Sequence, residues 1–298
     1  MNPRLTVVVA TCVLLASCAT HAPVKRMERA QHTAFQALQG TELTAQEIDK
    51  VADLCPFGMP QHVPGWDHGL TEFVVRDGYA LEHSGQYRIP LWVCERLVPE
   101  HLNSRYPRKD NFRADPELSG PHAELADYKG SGFARGHHAP AEDHAWSKRL
   151  LDETFYLSNM SPQLGGFNSG VWSQVEKRVR TMAADSVVTW VITGALLYDP
   201  EEEQASTADG WVEYFTIGAG VAVPTHLFKI VVSEQDNGDV EAVAFVIANA
   251  KPPSPYSHAD FIKPVRWVEE RSGFDFMPEL EPAQSQRLEA RAGHIDSP

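Results

Sequence analysis

A chain of 298 residues, 43% hydrophobic and 22% charged, has the make-up of a soluble globular fold with one large or two small domains, which excludes a disordered or low-complexity chain. Its formal net charge of -14 and pI near 5.3 exclude a protein that captures nucleic acid by long-range attraction. Any contact with a polyanion must rest on a local basic site.

Residues 1–17 place one basic residue, Arg4, ahead of an apolar run from Leu5 to Ala16 that is too short to span a bilayer as a permanent helix. An export signal is the expectation. Leu15-Ala16-Ser17-Cys18 resembles the lipobox of bacterial lipoproteins, which implies that Cys18 carries a lipid anchor and that the mature protein is exported to the periplasmic side of the outer membrane. An ordinary secretory signal cleaved near Ala19 is the alternative. Residues 18–60 are expected to tether or wrap the main domain, since Val24 to Ala52 has helical spacing and charge but little to pack against. Cys12 and Cys18 fall in the signal region, so Cys55 and Cys94 remain for one disulfide, with two buried free thiols as the alternative. No Cys-x-x-Cys spacing supports a cysteine zinc site.

Residues 61–282 form the main domain. Phe73-Val74-Val75 and the run from Tyr87 to Leu97 read as strands, Pro99 to Pro121 as a loop-rich surface, and Tyr128 to Pro140 as a short extended run ending at His137. An Asn-rich loop follows. Phe167 to Ala184 reads as a helix, with Val171, Val175, Val179 and Met182 facing a core and Asn168, Trp172, Glu176 and Arg180 in a stripe away from it. A regular helix separates Asn168 from Glu176 by roughly 12 Å. To serve one site, either Asn168 lies at or before the first turn or the Glu176 side chain leans back. Val187 to Gly194, Val221 to Ser233 and Val240 to Ala248 read as strands, Pro252 to Pro255 as a surface turn, and residues 283–298 as a polar tail. No repeat is present, and no later segment is long and apolar enough to cross a membrane. The expected class is α+β, a central mainly antiparallel β-sheet flanked by helices.

The chemistry follows from residue types. A neutral imidazole at His137 can take a proton from water, with activity expected to fall below about pH 6.5. The uncharged oxygen of Asn168 suits Mg²⁺, which keeps several waters, and a carboxylate such as Glu176 can hold those waters. Arginines supply forked donors for phosphate oxygens, and Arg135, Lys148, Arg149, Lys177, Arg178 and Arg180 crowd the motif. Each residue also has a plain reading. Glu176 and Arg180 are an i,i+4 helix pair, Trp172 is packing, and His137, His138, Asp143 and His144 together could hold zinc, although at no familiar spacing.

Arg135-Gly136-His137 with Ala139-Pro140, then Tyr156 to Gln163, Phe167-Asn168, Trp172, Glu176 and Arg180, resemble in order the motif blocks of the DNA/RNA non-specific endonucleases of the ββα-metal type. The resemblance covers roughly residues 70 to 280. It implies a ββα-metal finger, His137 as general base, Asn168 as the single protein ligand of a hydrated Mg²⁺ or Mn²⁺, Glu176 holding a water of that ion, and Asn159 orienting the site. It further implies phosphate contacts from Arg135, Arg180 and an upstream arginine, Arg108 with Arg105 as rival. The implied reaction is water attack on the phosphodiesters of DNA and RNA, single- or double-stranded, leaving a 5′-phosphate. The sequence departs from the family at Ala134, where an Asp is usual, and at His138, usually not a histidine. Two further functions stay open: a catalytically inactive nucleic-acid-binding lipoprotein of the same fold, and a phosphodiesterase for another extracytoplasmic substrate.

Overall fold

Residues 24–28, 43–198 and 211–293 are described by the structure, a computed structural model. In chain order the elements are β1 (Val24–Glu28), α1 (Ala45–Leu54), β2 (Gln61–His62), β3 (Thr71–Val75), β4 (Tyr79–Ser84), β5 (Ile89–Leu97), α2 (Leu125–Tyr128), β6 (Phe133–His137), α3 (Lys148–Glu153) and β7 (Met160–Leu164). A π-helical turn (Phe167–Trp172) then runs into α4 (Ser173–Ala184), followed by β8 (Val188–Leu196), β9 (Trp211–Ile217), β10 (Val221–Ala222), β11 (His226–Glu234), β12 (Val240–Ala248), β13 (Ile262–Lys263), α5 (Val265–Ser272), β14 (Phe274–Asp275) and α6 (Pro282–Leu288).

Seven strands pair antiparallel in the order β13-β12-β11-β8-β5-β4-β3, so the fold is α+β as expected. Both faces of this sheet are covered, which is why β5 and β11 are buried almost throughout instead of alternating. On β11, Phe228, Ile230 and Val232 join a core that also holds Val51 and Leu54 of α1 and Val265 and Val268 of α5. Leu227 and Val231 point the other way, against Phe167, Val171, Trp172, Val175 and Val179. The valines of α4 thus pack where their spacing predicts. Lys229 lies on this second face, a buried lysine in an apolar row.

Several expectations are corrected. Val24–Glu28 is a strand paired with β9, and α1 is a core element, capped by a Thr44–Glu47 capping box and burying Val51 and Leu54. The Asn-rich loop contains β7, which pairs with β6. The run from Val221 to Ser233 is two strands, β10 and β11, broken around Pro224, which has no N–H to give a ladder. The polar tail from 283 includes most of α6, anchored by buried Leu288. No bridge joins Cys55 and Cys94: both are buried free thiols, and burial with Cys55 alongside raises the Cys94 thiol well above its ordinary pKa.

Candidate active site

Strands β6 and β7 form a hairpin in which Ala134 faces Gln163, Gly136 faces Ser161 and His137 faces Met160. Closure depends on Gly136, because a Cβ there would overlap the Gln163 side-chain amide. Asn159 fixes the chain just after His137. Its Nδ2 donates to the carbonyls of Ala139 (2.9 Å) and Thr154 (3.0 Å), its Oδ1 accepts from the Ala139 N–H (2.9 Å), and its own carbonyl accepts from the His138 N–H (3.0 Å). These bonds hold the backbone of residues 138–139 in place.

The two adjacent histidines part company, as neighbours in an extended segment must. His138 is fully buried, its Nε2 2.9 Å from Ser161 Oγ, and burial lowers its pKa to about 3. His137 packs edge-on to Phe155, with ring centroids 5.1 Å apart, and against Phe112 at 5.7 Å. Its Nε2 is buried without a partner, whereas Nδ1 neither shares that burial nor makes a hydrogen bond. Burial, then the charge of Arg108, lowers the His137 pKa to about 3. Burial thus favours the neutral ring, the form that can accept a proton, and moves the acid limit of its action below the pH 6.5 expected of a free imidazole.

The backbone leaves helical geometry at Gly170, so Asn168 sits in the π-helical turn ahead of the regular helix that carries Glu176. Of the two arrangements open from sequence, the first obtains. Neither Asn168 nor Glu176 makes a side-chain hydrogen bond among the described residues. Burial raises the Glu176 carboxyl to about 7, opposed by the Lys229 charge. Arg180 does not pair with Glu176 in an i,i+4 bridge. Its Nη1 donates to Asp143 Oδ1 at 2.7 Å, and Asp143 is itself raised to about 6 by burial and by Glu95. His144 Nε2 lies 3.0 Å from Glu95 Oε2, so His137, His138, Asp143 and His144 each have different surroundings and form no zinc site.

Sequence reasoning missed two residues. Gln163 is buried with neither side-chain polar atom partnered. Lys229 donates from Nζ to Thr193 Oγ1 (2.6 Å) and to the His138 carbonyl (3.4 Å), tying β11 to the residue after His137. Gln163 lies inside one of the motif blocks, but its orphaned amide emerges only once the hairpin closes; Lys229 had no local signal. The amide of Asn168, which makes no hydrogen bond among the described residues, and the carboxyl of Glu176 are hard oxygen donors of the kind a hydrated Mg²⁺ takes, and these residues fit such an ion.

The basic residues divide. Arg108 is the cation that acts most on His137, although its Nε pairs with Asp110 at 2.6 Å, while Arg105 contributes a backbone N–H to the Ala145 carbonyl. Arg135 lies over the Phe112 ring at 4.0 Å. Lys148 and Arg149, counted among the local cations, are bound to Asp152, and to Asp77 and Glu153.

Residues 64–283 match the family model described as DNA/RNA non-specific endonuclease. The chain belongs to this family. It is 36% identical over 233 residues to human "Endonuclease G, mitochondrial", covering 76% of this chain and 74% of the relative. It is 33% identical over 236 residues to the "Mitochondrial nuclease" of Saccharomyces cerevisiae (strain ATCC 204508 / S288c), covering 76% and 70%. The fold matches a chain from the crystal structure of the EndoG/EndoGI complex with TM-score 0.69 and 31% identity, over 82% of this chain and 97% of that one. The protein is thus a nuclease with the ββα-metal fold of its family. These relatives correct the expected location. They are mitochondrial by name, against the reading of an exported outer-membrane lipoprotein anchored through Cys18. Cys18 and the signal region lie outside the described residues, and among the described residues no helix is long and apolar enough to cross a membrane.

Proposed function

We propose that the domain at residues 61–282 hydrolyses phosphodiester bonds in both DNA and RNA, without strict sequence preference, and depends on Mg²⁺, with Mn²⁺ as a substitute. The observation that carries this reading is a neutral His137 at the end of β6 together with Asn168, whose side chain makes no hydrogen bond among the described residues and which sits in the π-helical turn just ahead of the helix that bears Glu176. His137 Nδ1 accepts a proton from water, the water oxygen attacks phosphorus, and the bond to the 3′ oxygen breaks, that oxygen taking a proton from solvent water, to leave a 3′-hydroxyl and a 5′-phosphate. Asn168 would be the single protein ligand of the cation, with Glu176 holding its water shell; the bound ion would supply positive charge to the phosphate and the departing oxygen. Arg108, Arg135 and Arg180 are the cations assigned to the substrate phosphate, Arg180 being braced by Asp143.

A plasmid-nicking assay with Mg²⁺ and with EDTA tests the reading, run beside His137→Ala. Nicking that survives EDTA, or that His137→Ala leaves intact, would overturn it. Turnover of a small phosphodiester with no cleavage of either nucleic acid would favour the other phosphodiesterase.

A further inference from the structure

A cavity of about 590 Å³ lies away from the finger, between α4, the ends of β11 and β12, and α6. It shares the helix and the sheet face of the active site. Arg178 lines it from α4, and Arg178 and Arg180 are two residues apart and so point about 200° from one another around the helix. Along β11, Val231 and Ser233 continue the row of Lys229, which puts the far wall roughly 13 Å beyond the lysine at about 3.3 Å per residue.

The lining is cationic in an acidic chain. Arg287 of α6 and Arg291 just beyond it join Arg178, against two carboxylates, Asp185 and Glu241. Arg76, Arg96, Arg108, Arg149, Arg180 and Arg266 all have a carboxylate within ion-pair distance. Among the described residues Arg287 and Arg291 have none, nor a hydrogen bond; Arg88 and Arg105 are likewise open, but each stands apart from the other, whereas Arg287 and Arg291 line one cavity. Exposed guanidiniums on a chain of net charge -14 have many acids to choose from, so two left open at one cavity point to an anionic ligand. Of the cations around the finger, Arg108, Lys148 and Arg149 are already paired with carboxylates. A polyanion held by so acidic a protein needs discrete contacts elsewhere.

We propose that this cavity is a second phosphate-binding site, which holds the backbone of the nucleic-acid substrate away from the bond being cut. The proposal rests on the nuclease reading above. Arg178 and Arg180 face opposite sides of α4, so a dinucleotide held at the finger does not reach the cavity and only longer substrates can bridge the two sites.

The test uses the full chain with Arg287→Ala/Arg291→Ala, a twenty-base-pair duplex and a dinucleotide, across a salt series. For the duplex, KM is expected to rise about fivefold or more with kcat kept, and log(kcat/KM) to depend less steeply on log salt, by about 0.9 for each phosphate that the variant no longer neutralises. Dinucleotide kinetics stay at the parent's values. Arg287→Lys/Arg291→Lys, which keeps the charge, is expected to recover most of the salt slope. Unchanged duplex kinetics, or equal losses on both substrates, would overturn the site. So would a thermal shift by a nucleoside monophosphate that the Ala variant loses while its duplex kinetics match the parent's, because the ligand is then a free nucleotide. Failure of the nuclease reading shows separately, as a parent that cleaves neither substrate.

Discussion

At the residue scale, the protonation states invert the simplest expectation. With the His137 ring held near pKa 3 and the Glu176 carboxyl near 7, it is Glu176 that changes charge close to neutrality. Its raised pKa means that it takes up a proton as pH falls through about 7, and only the ionised form helps to hold a cation. The Mg²⁺ concentration needed for half-maximal cleavage is therefore expected to rise between pH 8 and pH 5.5. Titrations of the parent and of Glu176→Gln check this, the variant needing more Mg²⁺ at every pH with little pH dependence; a parent with a flat Mg²⁺ requirement refutes it. His137→Ala is expected to lower kcat by about 10² to 10⁴ while Mg²⁺ binding persists. His138→Ala acts through packing instead, lowering the unfolding temperature more than kcat. Lys229→Met keeps the length of the side chain but removes the donor to the His138 carbonyl and the charge facing Glu176. It is expected to cut kcat at least tenfold and raise the Mg²⁺ requirement; parent-like kinetics would dismiss Lys229 as a supporting residue.

At the element scale, the finger turns on the contact between its two strands. Gly136→Ala drives a methyl group into Gln163, an overpacking that typically costs about 1 to 3 kcal/mol, and Gln163→Ala added to it should restore part of that stability but not activity. Denaturant melts of the two single variants and the pair check this, and strict additivity would argue against the contact. Much of the finger was legible because His137, Asn159, Asn168 and Glu176 fall in contiguous blocks whose order is itself a signal. Less was legible where an element's character is set by its neighbours. Met160–Leu164 contains a proline and a glutamine and resembles a loop until β6 lies beside it. The capping signature from Thr44 to Glu47 marks the start of α1, but the helix packs as core only because β3, β4 and β5 supply a surface for it. The side chains that complete the site, Lys229 above all, come from the sheet and carry no local pattern.

At the scale of the whole molecule, buried histidines govern the response to acid. Burial depresses His68, His83 and His226 to about 4, and His137 and His138 to about 3, from an ordinary 6.5. Between those values the unfolded chain binds more protons than the folded one, so this stability is fully present above pH 6.5 and is lost as pH falls toward the folded values. Glu176 and Glu269, raised to about 7, Asp143, raised to about 6, and Glu117 and Asp275, also raised by burial, work in the opposite direction, but these five acids are fewer than the seven histidines depressed once His101 and His258 are included. The thermal midpoint is expected to drop steadily from pH 7 to pH 5; a midpoint that rises over that interval would contradict the balance. The free thiols give a second check. Native protein should resist alkylation at Cys55 and Cys94, and unfolded protein should take up two labels there, whereas a mass two hydrogens lighter would mean a bridge.

The hydrogen bond from Lys229 to the His138 carbonyl spans 91 residues of chain. A chain leaving the ribosome exposes its whole finger motif, through Arg180, before β11 has been made. At about 5 to 20 residues per second the lag is roughly 2 to 10 s, during which the residue after His137 has no strand beneath it. Synthesis order therefore gives a cell making this nuclease an interval in which the growing chain carries the motif but not the finished blade.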